Sequence, residues 1–198
     1  MAASAPVAVT GGGVVSPIGN DLAAFAETLF AGRSALHSQA LDLAGIDPPP
    51  AAVASATFDA SRVVAPSRVP LDAGRFDPER LGIFWGSGMA GAATFETTCR
   101  TVYAERRRMR PTSVVTTMPN APAAELALLF GARGAALSYA CACASSAVAI
   151  GEAMRAIRAG WIDVAIAGGS ESMLTPGVLA SWQAMRVLAP VQGADAAA

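Results

Sequence analysis

The chain is 198 residues long, 53% hydrophobic and of net charge −1, and all fourteen of its basic residues are arginine. That suits one domain or one half of a two-part fold, excludes wholesale disorder, and gives no whole-chain signature of a nucleic-acid binder. The opening MAASAPVAVT lacks the basic start and long apolar run of a signal peptide, no stretch is apolar enough for a membrane span, and three cysteines do not suggest a disulfide scaffold, so a reducing cytoplasm is the expected setting.

In chain order, Val7 to Thr10 reads as a short buried strand leaving through the glycines Gly11 to Gly13. Asn20 is a candidate cap for a helix whose apolar face is Leu22, Phe25, Leu29 and Phe30, with Gly32 as its stop. From His37 to about Arg75 the chain reads as irregular, with three consecutive prolines and one candidate strand near Ala54 to Phe58. Leu81 to Trp85 is a second buried strand and Ala92 to Arg107 a helix. MRPTSVVTTMPN reads as a loop, and APAAELALLF as a helix capped by Asn120 and stopped by Gly131.

The next stretch is the most ordered. AALSYACA reads as a strand and SSAVAIGEAMRAIRAG as a helix packing through Val148, Ile150, Met154 and Ile157. DVAIAGG is a strand, with Gly168 and Gly169 as its exit. Strand, helix and strand in this span make a βαβ unit with a parallel pair, and the alternation along the chain predicts an α/β class with a mostly parallel sheet. The final GADAAA reads as a frayed tail within 191–198.

Two of the three cysteines, Cys141 and Cys143, stand one residue apart in YACACASS. A zinc site lacks ligands, since the only other candidates are Cys99 and the lone His37, so no metal is expected. A disulfide across one residue is geometrically poor. Packing suits Cys99 and Cys141, the latter turned inward at the strand end. Cys143 falls where strand gives way to helix. There the helix dipole and free N–H groups favour the reactive thiolate, and its own N–H could face a bound carbonyl. Local chemistry alone leaves both nucleophile and packing open for Cys143.

The stretches VTGGGVVSPIGN, GSGMAG and MPNAPAAELALLFGARGAALSYACACASSAVAIGEAMRAIRAGWIDVAIAGGSES together resemble the amino-terminal half of the β-ketoacyl synthases, the condensing enzymes of fatty-acid and polyketide synthesis. The resemblance runs from about Val7 to about Leu188. It implies a thiolase-like fold of two related halves in a layered αβαβα core, usually in a homodimer, with residues 1–190 as the amino-terminal domain. It implies that Cys143 accepts an acyl group from an acyl carrier protein. A malonyl thioester then loses CO2, and the carbanion attacks the acyl-enzyme to give a β-ketoacyl product. No cofactor is bound by the chain itself, because phosphopantetheine arrives on the carrier. Chain-length factors, a branch of the family, replace this cysteine, and thiolases look less similar around ACACASSA.

Two departures accompany the resemblance. The family continues into a second half carrying two histidines and a glycine-rich loop, whereas here no histidine follows Cys143 and the carboxyl-terminal half is absent. Family members also carry a long amphipathic helix before AGRFDPERLGI, of which only LDAG remains around 68–74. The expectation is therefore weak or no turnover alone, with a complementary synthase half or a second copy as partner. The alternative is a non-catalytic partner subunit. ERRRMRP reads as a solvated helix end, with contact to an acidic carrier as its functional alternative. GGGVVS departs from a dinucleotide fingerprint at Ser16.

Overall fold

The structure, a computed structural model, describes residues 5–36 and 76–188. His37, the candidate strand near Ala54 to Phe58, the shortened 68–74 region and the tail 191–198 lie outside the described residues. In chain order the elements are helix α1 (Leu22–Phe30), strand β1 (Leu81–Gly86), helices α2 (Ala92–Cys99), α3 (Ser113–Thr117) and α4 (Ala121–Phe130), strand β2 (Ala136–Tyr139), helix α5 (Ser145–Arg158), strand β3 (Val164–Gly169) and helix α6 (Pro176–Ala184). The chain divides into two compact units, residues 1–7 with 66–174 and residues 8–65 with 175–198.

The first unit is a parallel sheet of order β2-β1-β3 with helices packed on it. The run LGIFWG is buried almost throughout, as a strand between two parallel neighbours must be. Ile83 pairs with Ala136 on one side and Ile166 on the other, and Gly86 with Tyr139 and Gly169. Helix α5 carries the chain from one sheet edge to the other across β1, and α4 packs against β1 and β2. The core gathers Phe84, Ala149, Ala153, Ala156 and Ile162, with the Tyr139 ring stacked on Phe84 at 6.4 Å between centroids.

Helix α5 buries Ser145, Ala149, Ala153 and Ala156, a stripe of small residues at helical spacing. This corrects the expected packing face in part: Ile157 packs against the core, whereas Ile150 is 53% and Met154 36% exposed. The reason is close approach. A Cβ on Gly86 would enter the backbone of Ser145 and Ser146, so the first turn of α5 rests directly on the end of β1. Gly168 and Gly169 are corrected likewise. They lie inside β3, where a Cβ would meet the Trp85 ring and Ser146.

Other boundaries also differ. Val7 to Thr10 lies in no strand and is mostly exposed; an apolar run becomes a strand only where a neighbour accepts its ladder hydrogen bonds. The cap of α1 is Asp21, not Asn20, its carboxylate accepting the Ala24 N–H at 2.8 Å. Leu22, Leu29 and Phe30 of that helix are exposed. The helix expected to reach Arg107 ends at Ala104 in a wide π-type turn, Arg100–Ala104, and the expected loop after it contains α3. Asn120 stands at the α4 cap position without a side-chain capping bond, and Gly131 ends the helix at φ 66°. In the second unit, α6 was not anticipated, although Thr175 caps it and Pro176 opens it.

One ion pair ties the start of β1 to that of β3. Arg80 Nε and Nη2 donate to the two Asp163 carboxylate oxygens at 2.6 Å each, and Nη2 also reaches the Gly160 carbonyl at 3.1 Å. The guanidinium, first by hydrogen bond and also by charge, holds Asp163 below the usual carboxylate range against a smaller opposing effect of burial. A depressed carboxylate contributes stability that is present above its unfolded value, about 3.9, and lost as pH falls through the folded one. Arg80 stays charged throughout and sets no window. The thermal midpoint of Asp163→Asn should therefore lie below that of the parent at neutral pH, with the gap closing under acid. A gap that does not narrow as the pH falls below the unfolded value would assign the loss to packing instead. Both side chains are largely exposed, so the effect is modest and weakens with salt.

Candidate functional site

The carboxyl ends of all three strands meet at one edge of the sheet, where parallel α/β folds place their ligands. The chain leaves β2 after Tyr139 and turns sharply before α5. Residues Ala142–Ala144 form a single 3-10 turn, and Ala142 takes φ 51°, a conformation costly for a residue with a Cβ. Cys143 sits inside this turn, two residues ahead of α5, and is exposed. Its neighbours Ala142 and Ala144 are small and exposed, so a substrate can reach the thiol.

Ser145 clamps the turn. Its Oγ accepts the Cys141 N–H at 2.8 Å and donates to the Ala142 carbonyl at 2.6 Å. The Ser145 N–H bonds the same carbonyl, and the Ala144 N–H the Cys141 carbonyl at 3.1 Å. Ser145 is itself buried, so the clamp is part of the α5 packing stripe. A thiol on this turn stands next to the amino-terminal end of α5, a setting suited to negative charge.

Cys141 is exposed, not packed inward as expected. The strand stops at Tyr139, and the turn then carries both cysteines out of the sheet. All three cysteines are free thiols, with Cys99 half-buried on α2. Burial first, and the Glu152 charge second, push the Tyr139 phenol up, which keeps it neutral. The basic run lies exposed beyond the π-type turn, with Arg100 and Arg107 both paired to Glu105. Among the described residues no group of three or more His, Cys, Asp or Glu side chains could hold a metal ion, and no helix is long and apolar enough to cross a membrane.

Around the turn, the loop after β1 is stitched to the other strand ends. The Ser87 N–H bonds the Tyr139 carbonyl at 3.0 Å, the Ser170 N–H the Gly86 carbonyl at 3.1 Å, and Trp85 Nε1–H the Ser170 hydroxyl at 3.0 Å. Ser87 and Glu171, also joined, were not singled out from sequence. They stand in the motifs GSGMAG and GGSES, each directly after a glycine-ended strand, and that placement was the available signal.

The sequence profile of the β-ketoacyl synthase N-terminal domain matches residues 65–197. Nodulation protein E of Rhizobium leguminosarum bv. trifolii is 41% identical over 112 residues, 56% of this chain and 28% of that protein. The 3-oxoacyl-[acyl-carrier-protein] synthase 2 of Staphylococcus aureus (strain COL) is 28% identical over 210 aligned positions, 95% of this chain and 51% of that one. Among solved structures, a type II polyketide ketosynthase in complex with its acyl-carrier protein superposes at TM-score 0.74 and 22% identity, over 93% of this chain and 50% of that one. The ishigamide ketosynthase/chain length factor superposes at 0.78 and 19%, over 90% and 50%. The chain thus spans about half the length, or less, of the relatives it matches. With two thirds of its residues under the profile and the parallel thiolase-like α/β sheet in place, the chain belongs to the β-ketoacyl synthase family, as its N-terminal domain.

Proposed function

We propose that this chain is the acyl-accepting part of a condensing enzyme of fatty-acid or polyketide synthesis, acting in the cytoplasm. Cys143 Sγ attacks the thioester carbonyl of an acyl carrier protein, the carrier's phosphopantetheine thiol leaves, and an acyl-enzyme thioester forms. Condensation then adds the carbanion left when a malonyl thioester loses CO2. The observation that carries this reading is the exposed Cys143 thiol on a clamped turn at the start of α5. Similarity to a 3-oxoacyl-[acyl-carrier-protein] synthase and to a ketosynthase in complex with its acyl-carrier protein supports it. Within these 198 residues the single histidine, His37, precedes Cys143, so the groups that assist decarboxylation are assigned to a complementary half or a second subunit.

A second reading, drawn from the superposition on a ketosynthase/chain length factor, is a non-catalytic partner subunit that keeps the fold. Intact mass after incubation with an acyl carrier protein thioester separates the two. One acyl addition in the parent, lost in Cys143→Ala, is the expected result. Folded protein that gains no acyl mass would move the assignment to the partner subunit.

A further inference from the structure

A carboxylate stands at the rim of the Cys143 turn with no role assigned by the acyl-transfer reading. Glu171 follows β3, and its Oε2 accepts two hydrogen bonds from the loop after β1: the Ser87 hydroxyl at 3.2 Å and the Met89 N–H at 2.8 Å. Ser87 Oγ in turn accepts the Ala90 N–H at 2.9 Å. Beyond the Ser87 N–H bond to Tyr139, the side-chain bonds that hold the loop Ser87–Ala90 run to one carboxylate oxygen and one hydroxyl. Ala90 is held at φ 52°, a conformation that persists only where its surroundings fix it.

This loop abuts the nucleophile turn. A Cβ on Gly88 would lie 3.4 Å from Glu171 Oε2 and 3.5 Å from the Ala142 carbonyl oxygen. Gly88 thus stands beside both the carboxylate and the residue before Cys143. The Ala142 carbonyl is bonded by Ser145 and lies beside the loop that Glu171 carries, close enough that one added methyl on Gly88 would touch it. Residues far apart in sequence thereby fix one turn.

We infer that Glu171 is a positioning residue for Cys143: it holds the Ser87–Ala90 loop against Ala142 and so sets the approach of an acyl thioester to the thiol. The inference rests on the reading of Cys143 as acyl acceptor. Glu171 carries the loop through Oε2 alone, while Oε1 accepts the N–H of its neighbour Ser172 at 3.0 Å, so a glutamine amide oxygen can take over the two loop bonds and gives up only the Ser172 one. Alanine cannot, and aspartate, one methylene shorter, does not reach.

The test is acyl loading of the whole chain from an acyl-pantetheine thioester, with amide hydrogen exchange on the same proteins. Glu171→Ala and Glu171→Asp should slow loading about tenfold, in line with the effect of small misplacements near a reacting centre, and Glu171→Gln should restore it. Exchange should quicken at Met89 and Ala90, and also at Cys141 and Ala144, while Ile83 and Phe84 stay protected. Parent-like loading in Glu171→Asp, or Glu171→Gln as slow as Glu171→Ala, would overturn the inference. If the parent itself accepts no acyl group, the acyl-acceptor reading fails. Exchange at Cys141 and Ala144 then still decides whether Glu171 holds the turn, and unchanged rates there would overturn it.

Discussion

Gly86→Ala is expected to destabilise the first unit by about 1–3 kcal/mol, the range for forcing an extra methyl into a packed interior. Gly86 ends the central strand and is bonded into register with Tyr139 and Gly169. Its missing side chain is the space that the first turn of α5 occupies. An added Cβ would meet the Ser145 carbonyl group and the Ser146 nitrogen, which are backbone atoms and cannot swing aside. Relief requires lifting α5 from the sheet, which also opens the alanine stripe beneath it. Urea denaturation should show a lower midpoint with an unchanged slope. Gly151→Ala, in the middle of the same helix, is the matched control. Nothing lies within 4 Å of a Cβ there, so this change should stabilise by about 0.5–1 kcal/mol through helix propensity alone. Equal, neutral behaviour of the two variants would mean that α5 can shift along β1 without cost, and would remove the close-approach account.

The parts of the fold legible from sequence are those that a single segment encodes. LGIFWG reads as a buried strand and VAIAGG as a strand because their own composition fits a parallel sheet, and they are β1 and β3. Helix α5 was legible in extent, from its small-residue start to Arg155, Arg158 and Gly160. Its packing face was not. Periodicity favours large apolar residues, whereas a helix laid directly on a glycine-ended strand buries alanines and leaves Ile150 and Met154 outside. Val7 to Thr10 shows the converse: strand composition without a ladder partner among the described residues. The placement of Cys143 at the turn between strand and helix was legible because that signal is local. The Ser87–Glu171 pair was not, since it joins side chains brought together only by the parallel register of β1 with β3.

Ser145→Ala is expected to separate the fold from the site. The hydroxyl both accepts from the Cys141 N–H and donates to the Ala142 carbonyl, so one deletion removes both side-chain bonds that close the turn. The methyl of alanine keeps the small packing stripe of α5 and raises its helix propensity, so the helix itself should persist. What is lost is the clamp. About 1–2 kcal/mol of stability should disappear with the two hydrogen bonds. Ala142 would then be freer to leave φ 51°, a conformation that itself costs about 1–2 kcal/mol. The thiol should lose its fixed direction, and acyl loading of Cys143 should fall more steeply than the stability change explains. Adding Ala142→Gly tests the cause. Glycine removes the Cβ strain, so the double variant should recover stability toward the parent without recovering the loading rate, because the turn is relaxed but still unclamped. Recovery of both would show that strain relief alone suffices and that the Ser145 hydroxyl does not aim the thiol. A single variant that loads at the parent rate would make the clamp dispensable and leave the exposure of Cys143 as the whole basis of its reactivity.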